Sequence, residues 1–297
     1  MGPRELGRAL RCTWNDVQQN HIFALAAGLS YYFLLSLFPL LIVLASVVPY
    51  LPIPNLWDRI LWTMARVVPY DAMGVVRGVL QDVLEKGHPK LLSLGILGTV
   101  WAATGGFSSM IEALNVAYDV PETRRWWHTR ALALQLTFGI GIFFVAALGL
   151  MVVGPQFGSW LANKIGLGPA FVWTWQYFRW GASIAFTVIG IELLYFMAPN
   201  VKQKFLATLP GAILAVAAWI GLSYGLGLYF QRFANFNRTY GALGAAVALL
   251  VWFYWTSVAI LFGAELNSEL RKAAGKRPLP IKEEPPVGTV EELPKAA

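Results

Sequence analysis

Three glutamates with asparagines close behind them are the residues best suited to chemistry in this chain: Glu112 with Asn115, Glu192 with Asn200, and Glu265 with Asn267. Carboxylates and carboxamides present oxygens, so a cluster of them accepts a cation, a proton or the polar atoms of a headgroup. Glu192 is the sharpest of the set. It sits in the middle of the run Trp180–Ala198, which has no other charged residue, about 10 Å from the nearer end if the run is helical. A charge in hydrocarbon costs at least ~2.5 kcal/mol on insertion scales, so Glu192 needs a polar partner, a water-filled cavity or a proton. No Lys or Arg shares its depth. The expected neighbours are therefore Tyr, Ser, Thr or Asn side chains from the first, second or sixth apolar segment. Glu112 and Glu265 have a plainer alternative, an interfacial position paired with Arg124 or Arg271.

A second group of residues interrupts helices. Pro39 falls inside an apolar run and frees the carbonyl of Leu35, with Ser36 and Tyr32 nearby to satisfy it. Thr104, Gly105 and Gly106 occupy the centre of the next run. Discontinuous helices of this kind line binding sites in transporters. Small residues also allow close helix packing, the commoner cause, as in the Gly221-x-x-x-Gly225 spacing.

Other chemistries are poorly served. His21, His88 and His128 are isolated, and none has a partner at metal-ligand spacing. The one cysteine, Cys12, excludes an intramolecular disulfide and a multi-cysteine metal site. No phosphate-cradling glycine loop or nucleophile elbow is present. The reading is a non-enzyme with no metal and no cofactor.

The elements that hold these residues are set by composition. Six runs, Ala24–Val48, Leu91–Ile111, Leu132–Val153, Trp180–Ala198, Phe205–Phe230 and Ala242–Ala264, contain none of the 23 Lys and Arg residues. Each is close to the ~20 apolar residues that cross a bilayer as helix. The chain is 57% hydrophobic and 13% charged, against about 25% charged in soluble domains. It lacks the residues for a charged exterior. The predicted fold is an all-α polytopic membrane protein of six transmembrane helices plus interfacial amphipathic helices. The net charge of +7 is assigned to loops beside lipid headgroups rather than to nucleic acid.

Residues 1–22 read as a cytoplasmic interfacial helix, 23–270 as the membrane domain, and 271–297 as a disordered cytoplasmic tail. Between the first two spans, residues 51–90 carry two apolar stripes, punctuated at Pro69 and Asp71, that predict a pair of amphipathic helices on the outer side. Basic residues concentrate in Arg4–Arg11, Arg124–Arg130, Lys202–Lys204 and Arg271–Arg277, which places both termini inside. Trp173, Trp175, Tyr177 and Trp180 read as an outer aromatic belt.

Several motifs resemble the YihY/virulence factor BrkB family of bacterial inner-membrane proteins, formerly labelled ribonuclease BN. They are Ala26-Ala27-Gly28-Leu29-Ser30-Tyr31-Tyr32 continuing to Ser36-Leu37-Phe38-Pro39-Leu40, then Asn115-x-Ala117-Tyr118, Leu209-Pro210-Gly211-Ala212, Tyr240-Gly241-x-Leu243-Gly244 and Gly263-Ala264-Glu265-Leu266-Asn267. They cover about residues 5–272 in the family's order. The resemblance implies six spans in the inner membrane and no agreed activity. Ribonuclease chemistry is rejected on the residues, because metal-dependent hydrolysis needs clustered ligands that this chain lacks. The expected role is transporter- or flippase-like, for a polar lipid or a small solute. The alternative is a non-transporting scaffold or envelope-integrity protein. Membrane lipids are the expected partners; oligomeric state is left open by the sequence.

Overall fold

The computed structural model describes residues 12–47, 89–166, 169–232 and 236–274, with a few isolated positions between 58 and 78. Besides helical positions at 58, 61–63, 73, 74 and 78, eight helices appear among them. A short α1 (Cys12–Gln19) meets α2 (Ile22–Val47) at a bend of 66°. The bend pivots on His21, whose φ of 50° turns the chain between the two axes. Then come α3 (Pro89–Ala117), α4 (Trp126–Val152), α5 (Gly154–Ile165), α6 (Pro169–Met197), a single 3-10 turn at Phe205–Ala207, α7 (Leu209–Arg232) and α8 (Phe236–Ala273).

The long helices form because their apolar residues run almost all round, as helices surrounded by hydrocarbon require. α4, α6, α7 and α8 are each long and apolar enough to cross a membrane, and the bent pair α1–α2 makes a fifth candidate. At 29 residues, α3 is the sixth long helix. Each packs against its neighbours in the closed order α2, α3, α4, α6, α7, α8 and back to α2, and α8 also touches α3 across the ring. The fold is all-α and polytopic.

The densest core lies at one end of this ring. Ile22, Ala26, Leu29, Ile111, Leu114, Tyr118, Tyr195, Leu261 and Ala264 are all buried there. The starts of α2, α4 and α7 meet the finishes of α3, α6 and α8 at this end, referred to below as the closed end. Elsewhere the helices show large apolar side chains outward, such as Phe138, Ile142 and Val145 on α4. Exposed residues of that kind are what lipid-facing helix surfaces require.

Several boundaries differ from the sequence reading. α6 starts at Pro169 rather than Trp180, so Glu192 sits five residues from its end at Met197, not at mid-span. α8 continues through Arg271 and Lys272 to Ala273 instead of giving way to a tail at 271. α5 was not anticipated at all. The amphipathic pair expected at 51–90, apart from scattered positions and the first turn of α3, lies outside the described residues, as do residues 1–11 and the tail beyond 274.

Candidate functional site

The site is built around a glycine-to-glycine contact. Gly211 in the first turn of α7 and Gly263 in α8 approach so closely that a Cβ on Gly211 would lie 2.2 Å from the Gly263 carbonyl oxygen. A Cβ on Gly263 would lie 2.5 Å from the Gly211 carbonyl oxygen and 2.6 Å from the Tyr195 hydroxyl. Only glycine permits backbones this near, the same logic as small-residue packing between membrane helices. Asn267, one turn on from Gly263, then reaches across. Its Oδ1 accepts from the Gly211 N–H at 2.8 Å and its Nδ2 donates to the Thr208 carbonyl at 2.7 Å. One carboxamide thus serves both a free donor of the α7 first turn and an acceptor just before it.

Glu192 enters this arrangement from α6. It is 1% exposed, and its Oε1 lies 2.6 Å from the Thr208 hydroxyl. That hydroxyl also lies 2.9 Å from the Phe205 carbonyl. It carries one proton and faces two acceptors, so it donates to only one at a time. Glu192 Oε2 has no partner among the described residues. Tyr195, one turn along α6, donates to the Ile260 carbonyl of α8 at 2.5 Å, and Gln203 Nε2 donates to the Tyr195 carbonyl at 2.5 Å. Tyr118, buried just past α3, feels the Glu192 carboxyl and lies beside Asn267 and Gln203. Burial pushes its phenol well above the ordinary value, so the hydroxyl stays neutral.

A second patch joins the α3–α4 loop to the α6 exit. Asn115 Oδ1 accepts from the Asn200 backbone N–H at 2.7 Å, and its Nδ2 donates to Glu122 at 2.8 Å. The Asn200 amide donates to the Pro121 carbonyl and the Thr123 hydroxyl. Arg124 pairs with Glu122 at 2.7 Å and donates to the Ala198 carbonyl at 2.7 Å. Burial pushes the Glu122 carboxyl up, but the Arg124 guanidinium and backbone N–H, with the Asn115 amide, outweigh it and hold the group below its usual range.

A third patch holds Glu265, which is fully buried. Its Oε1 accepts from Asn20 Nδ2 at 2.8 Å, at the α1–α2 bend, while Oε2 has no partner among the described residues. Beside it, Lys272 bridges Asp16, Asp119 and Glu269 at 3.2, 2.8 and 2.8 Å, tying α1 and the α3 exit to the last turns of α8.

Comparison with known proteins places this architecture. The family described as Virulence factor BrkB matches residues 13–286. The chain belongs to that family. Among BrkB-family relatives, the ribonuclease-like protein YfkH of Bacillus subtilis (strain 168) is 35% identical over 247 residues, 83% of this chain and 89% of that one. A UPF0761 membrane protein of Stenotrophomonas maltophilia (strain R551-3) is 27% identical over 281 residues, and one of Xanthomonas oryzae pv. oryzae (strain PXO99A) is 28% identical over 269. The match covers 90% and 88% of this chain but only 62% and 60% of those longer relatives. No solved structure matches.

In this BrkB-family chain two of the motifs become two sides of one contact: Leu209–Ala212 brings Gly211, and Gly263–Asn267 brings Gly263 and Asn267. Of the six polar candidates, five are buried at the closed end, though in three separate patches: Glu192 with Asn267, Asn115 with Asn200, and Glu265 alone with Asn20. Glu112 is not among them. Its side chain is exposed on the same outward stripe of α3 as Val116, and neither it nor Glu265 pairs with Arg124 or Arg271 among the described residues. The partner of Glu192 is Thr208, from the turn before α7, and not a side chain of α2, α3 or α8.

The helix-interrupting set is placed differently from the polar one. α2 runs unbroken past Pro39, and α3 past Gly105 and Gly106. Gly106 is buried where α3 faces α2, and a Cβ added there would lie 3.7 Å from the Tyr32 Cβ, an ordinary contact. Ser36 donates back to the Phe33 carbonyl at 2.9 Å, and Thr104 to Val100 of its own helix. Thr208, Glu122, Asn20 and Gln203 were missed in the sequence because they sit in turns, where no periodicity marks them. Thr208-Leu209-Pro210, a capping residue followed by Pro early in a helix, was the one available signal.

Proposed function

We propose that this chain is a multi-pass inner-membrane protein, with both termini in the cytoplasm, that works as a transporter or flippase for a polar lipid or small solute. The observation that carries the reading is a pair of buried carboxyls, Glu192 and Glu265, each with one oxygen that has no partner among the described residues. Roughly 90% or more of buried polar groups are satisfied in folded proteins. Ionisable groups enclosed by membrane helices mark substrate or ion pathways. A purely packing role gives no reason to keep two such carboxyls.

Other features support the details. Arg124, Arg125, Arg130, Arg271 and Lys272 gather at the closed end, which favours that end facing the cytoplasm. Toward the other end α7 and α8 part around an apolar cleft of about 340 Å³, lined by Leu226, Tyr229, Phe230, Val247, Ala248, Val251 and Trp255. A cleft of that texture favours a lipid over a polar solute. The scaffold reading draws on the Gly211–Gly263 contact, which is built as a rigid closure. The ribonuclease-like wording belongs to the Bacillus relative; the role proposed for this chain is non-enzymatic.

The test is reconstitution in liposomes with fluorescently tailed phospholipids in both leaflets, read by chemical quenching of the outer leaflet, beside a pH-dye assay for proton flux. The expected result is movement of lipid or protons several-fold above empty liposomes, reduced by Glu192→Gln at unchanged insertion. Rates equal to empty liposomes in both assays would overturn the proposal and leave the scaffold.

A further inference from the structure

The least expected element of the fold is α5, and its three faces differ. Gly154, Gly158 and Ala162, one every fourth residue, are buried against α6. The fit is close: a Cβ on Gly158 would lie 2.1 Å from the Trp175 ring, and Trp175 Nε1 donates to the Gly154 carbonyl at 2.6 Å. On one flank of that buried face stand Phe157, Trp160, Leu161 and Lys164; on the other stand Pro155, Ser159 and Asn163. Phe157 and Trp160 are 47% and 52% exposed, and the Lys164 ammonium sits 4.8 Å from the Trp160 ring centre. The start of α6 continues the apolar flank with exposed Trp173, Tyr177 and Phe178.

Depth decides what covers this flank. α6 has 29 residues, so it is about 43 Å long at 1.5 Å per residue. That equals the hydrocarbon core plus both headgroup zones, ~40–45 Å. With the polar closed end at one boundary, the first turns of α6 and the α5 beside them fall in the opposite headgroup zone. A helix that is aromatic on one flank and polar on the other, resting on its neighbour by a third face, fits the plane between acyl chains and water. Charge agrees. No Asp or Glu occurs between Glu122 and Glu192, while Lys164 lies on the aromatic flank. Lysine in that position snorkels toward phosphate.

We propose that α5 is an interfacial anchor whose Phe157–Trp160–Lys164 flank binds the phospholipid boundary, apolar side chains among the upper acyl carbons and Lys164 on anionic headgroups. This stands independently of any transport activity.

The test uses the full chain with Cys12→Ser, reconstituted in vesicles of phosphatidylcholine with or without phosphatidylglycerol. Nitroxides are placed singly through Phe157→Cys, Trp160→Cys, Ser159→Cys and Asn163→Cys. The expected result is collision with oxygen several-fold above collision with a water-soluble nickel chelate at Phe157 and Trp160, and the reverse at Ser159 and Asn163. Adding phosphatidylglycerol should deepen the Phe157 label, and Lys164→Gln should abolish that shift. Nickel access at all four sites would overturn the proposal, showing α5 in water. Immobile labels at Phe157 and Trp160 shielded from both reagents would also overturn it, showing a protein partner or second copy on that flank. If Trp160→Cys fails to fold, the Phe157 and Ser159 pair decides alone.

Discussion

The same two helices, α7 and α8, meet in opposite ways at their two ends. At the closed end they touch backbone to backbone through Gly211 and Gly263, with Asn267 bonded across the contact. Midway, Trp252 Nε1 donates to the Ser223 hydroxyl at 3.0 Å and the Trp219 and Trp252 rings lie 6.4 Å apart. Beyond them the pair opens on the apolar cleft of Leu226 and Val251. The touching glycines and the polar groups that bridge them occur at the same end for a physical reason. Close backbones leave no room for side chains, so the remaining polar groups must satisfy one another across the gap. Bulky aromatics hold the other end apart, and there the surroundings need only be apolar.

That contrast can be broken most forcefully at the glycines. Gly211→Ala sets a Cβ against backbone, which cannot rotate away, so it should destabilise the folded protein by on the order of 3 kcal/mol. Thermal unfolding in detergent checks it; a variant as stable as the parent would mean that the helices part there at no cost. Asn267→Ala should follow at about 2 kcal/mol, because it strands a buried N–H at Gly211 and removes one of the two donors to the Thr208 carbonyl. Asn267→Leu should not rescue it, whereas Asn267→Gln with its extra carbon should recover little.

Acid sharpens the comparison further. The folded-state pKa of Glu122 is depressed, so its contribution is present above the unfolded carboxylate value and is lost as pH falls through the folded one. Stability should therefore decline on acidification from about pH 4.3, the ordinary glutamate value, downward. Glu122→Gln should flatten that decline, and equal acid slopes for parent and variant would remove Glu122 as its source. The smallest effect is expected at the open end. Val247, 41% exposed on the cleft, can be changed to Leu with bulk added outward instead of into packed atoms, and Val247→Leu should shift stability by no more than about 0.5 kcal/mol, a change typical of exposed sites. A loss comparable to that of Gly211→Ala would show the cleft to be closed in the membrane.

The long helices were legible because membrane residence imposes long uncharged runs, and no other physics competes with that signal. The position of Glu112 was misjudged for want of one consideration, its register. Ile111, Ala113, Leu114 and Asn115 are buried while Glu112 and Val116 are exposed, so the glutamate falls on the narrow outward stripe of α3, just past the edge of the buried face that its asparagine borders. Three glutamates at similar depths were grouped although a helix of 3.6 residues per turn scatters them by direction. The Asn–Glu contacts that do form were hidden for another reason: Asn115 with Glu122, and Asn20 with Glu265, join helices to turns. Turn side chains have no period, and their partners emerge only once the helices close into a ring. α5 was hidden by its glycines and its proline, which read as loop punctuation but here let one helix nest on another.

The carboxamide of Asn267 has a consequence for motion. A helix start is ordinarily where a chain loosens first, since its leading N–H groups have no partner within the helix. At the start of α7, Pro210 has no N–H to lose, Gly211 is held by Asn267, and Ala212 donates to the same Thr208 carbonyl that Asn267 grips. Fraying the first turn of α7 thus requires breaking its contact with α8, so the two segments open as one cooperative unit. In amide hydrogen exchange the N–H groups of Gly211 and Ala212 should keep pace with the middle of α8, exchanging only when both helices come apart together.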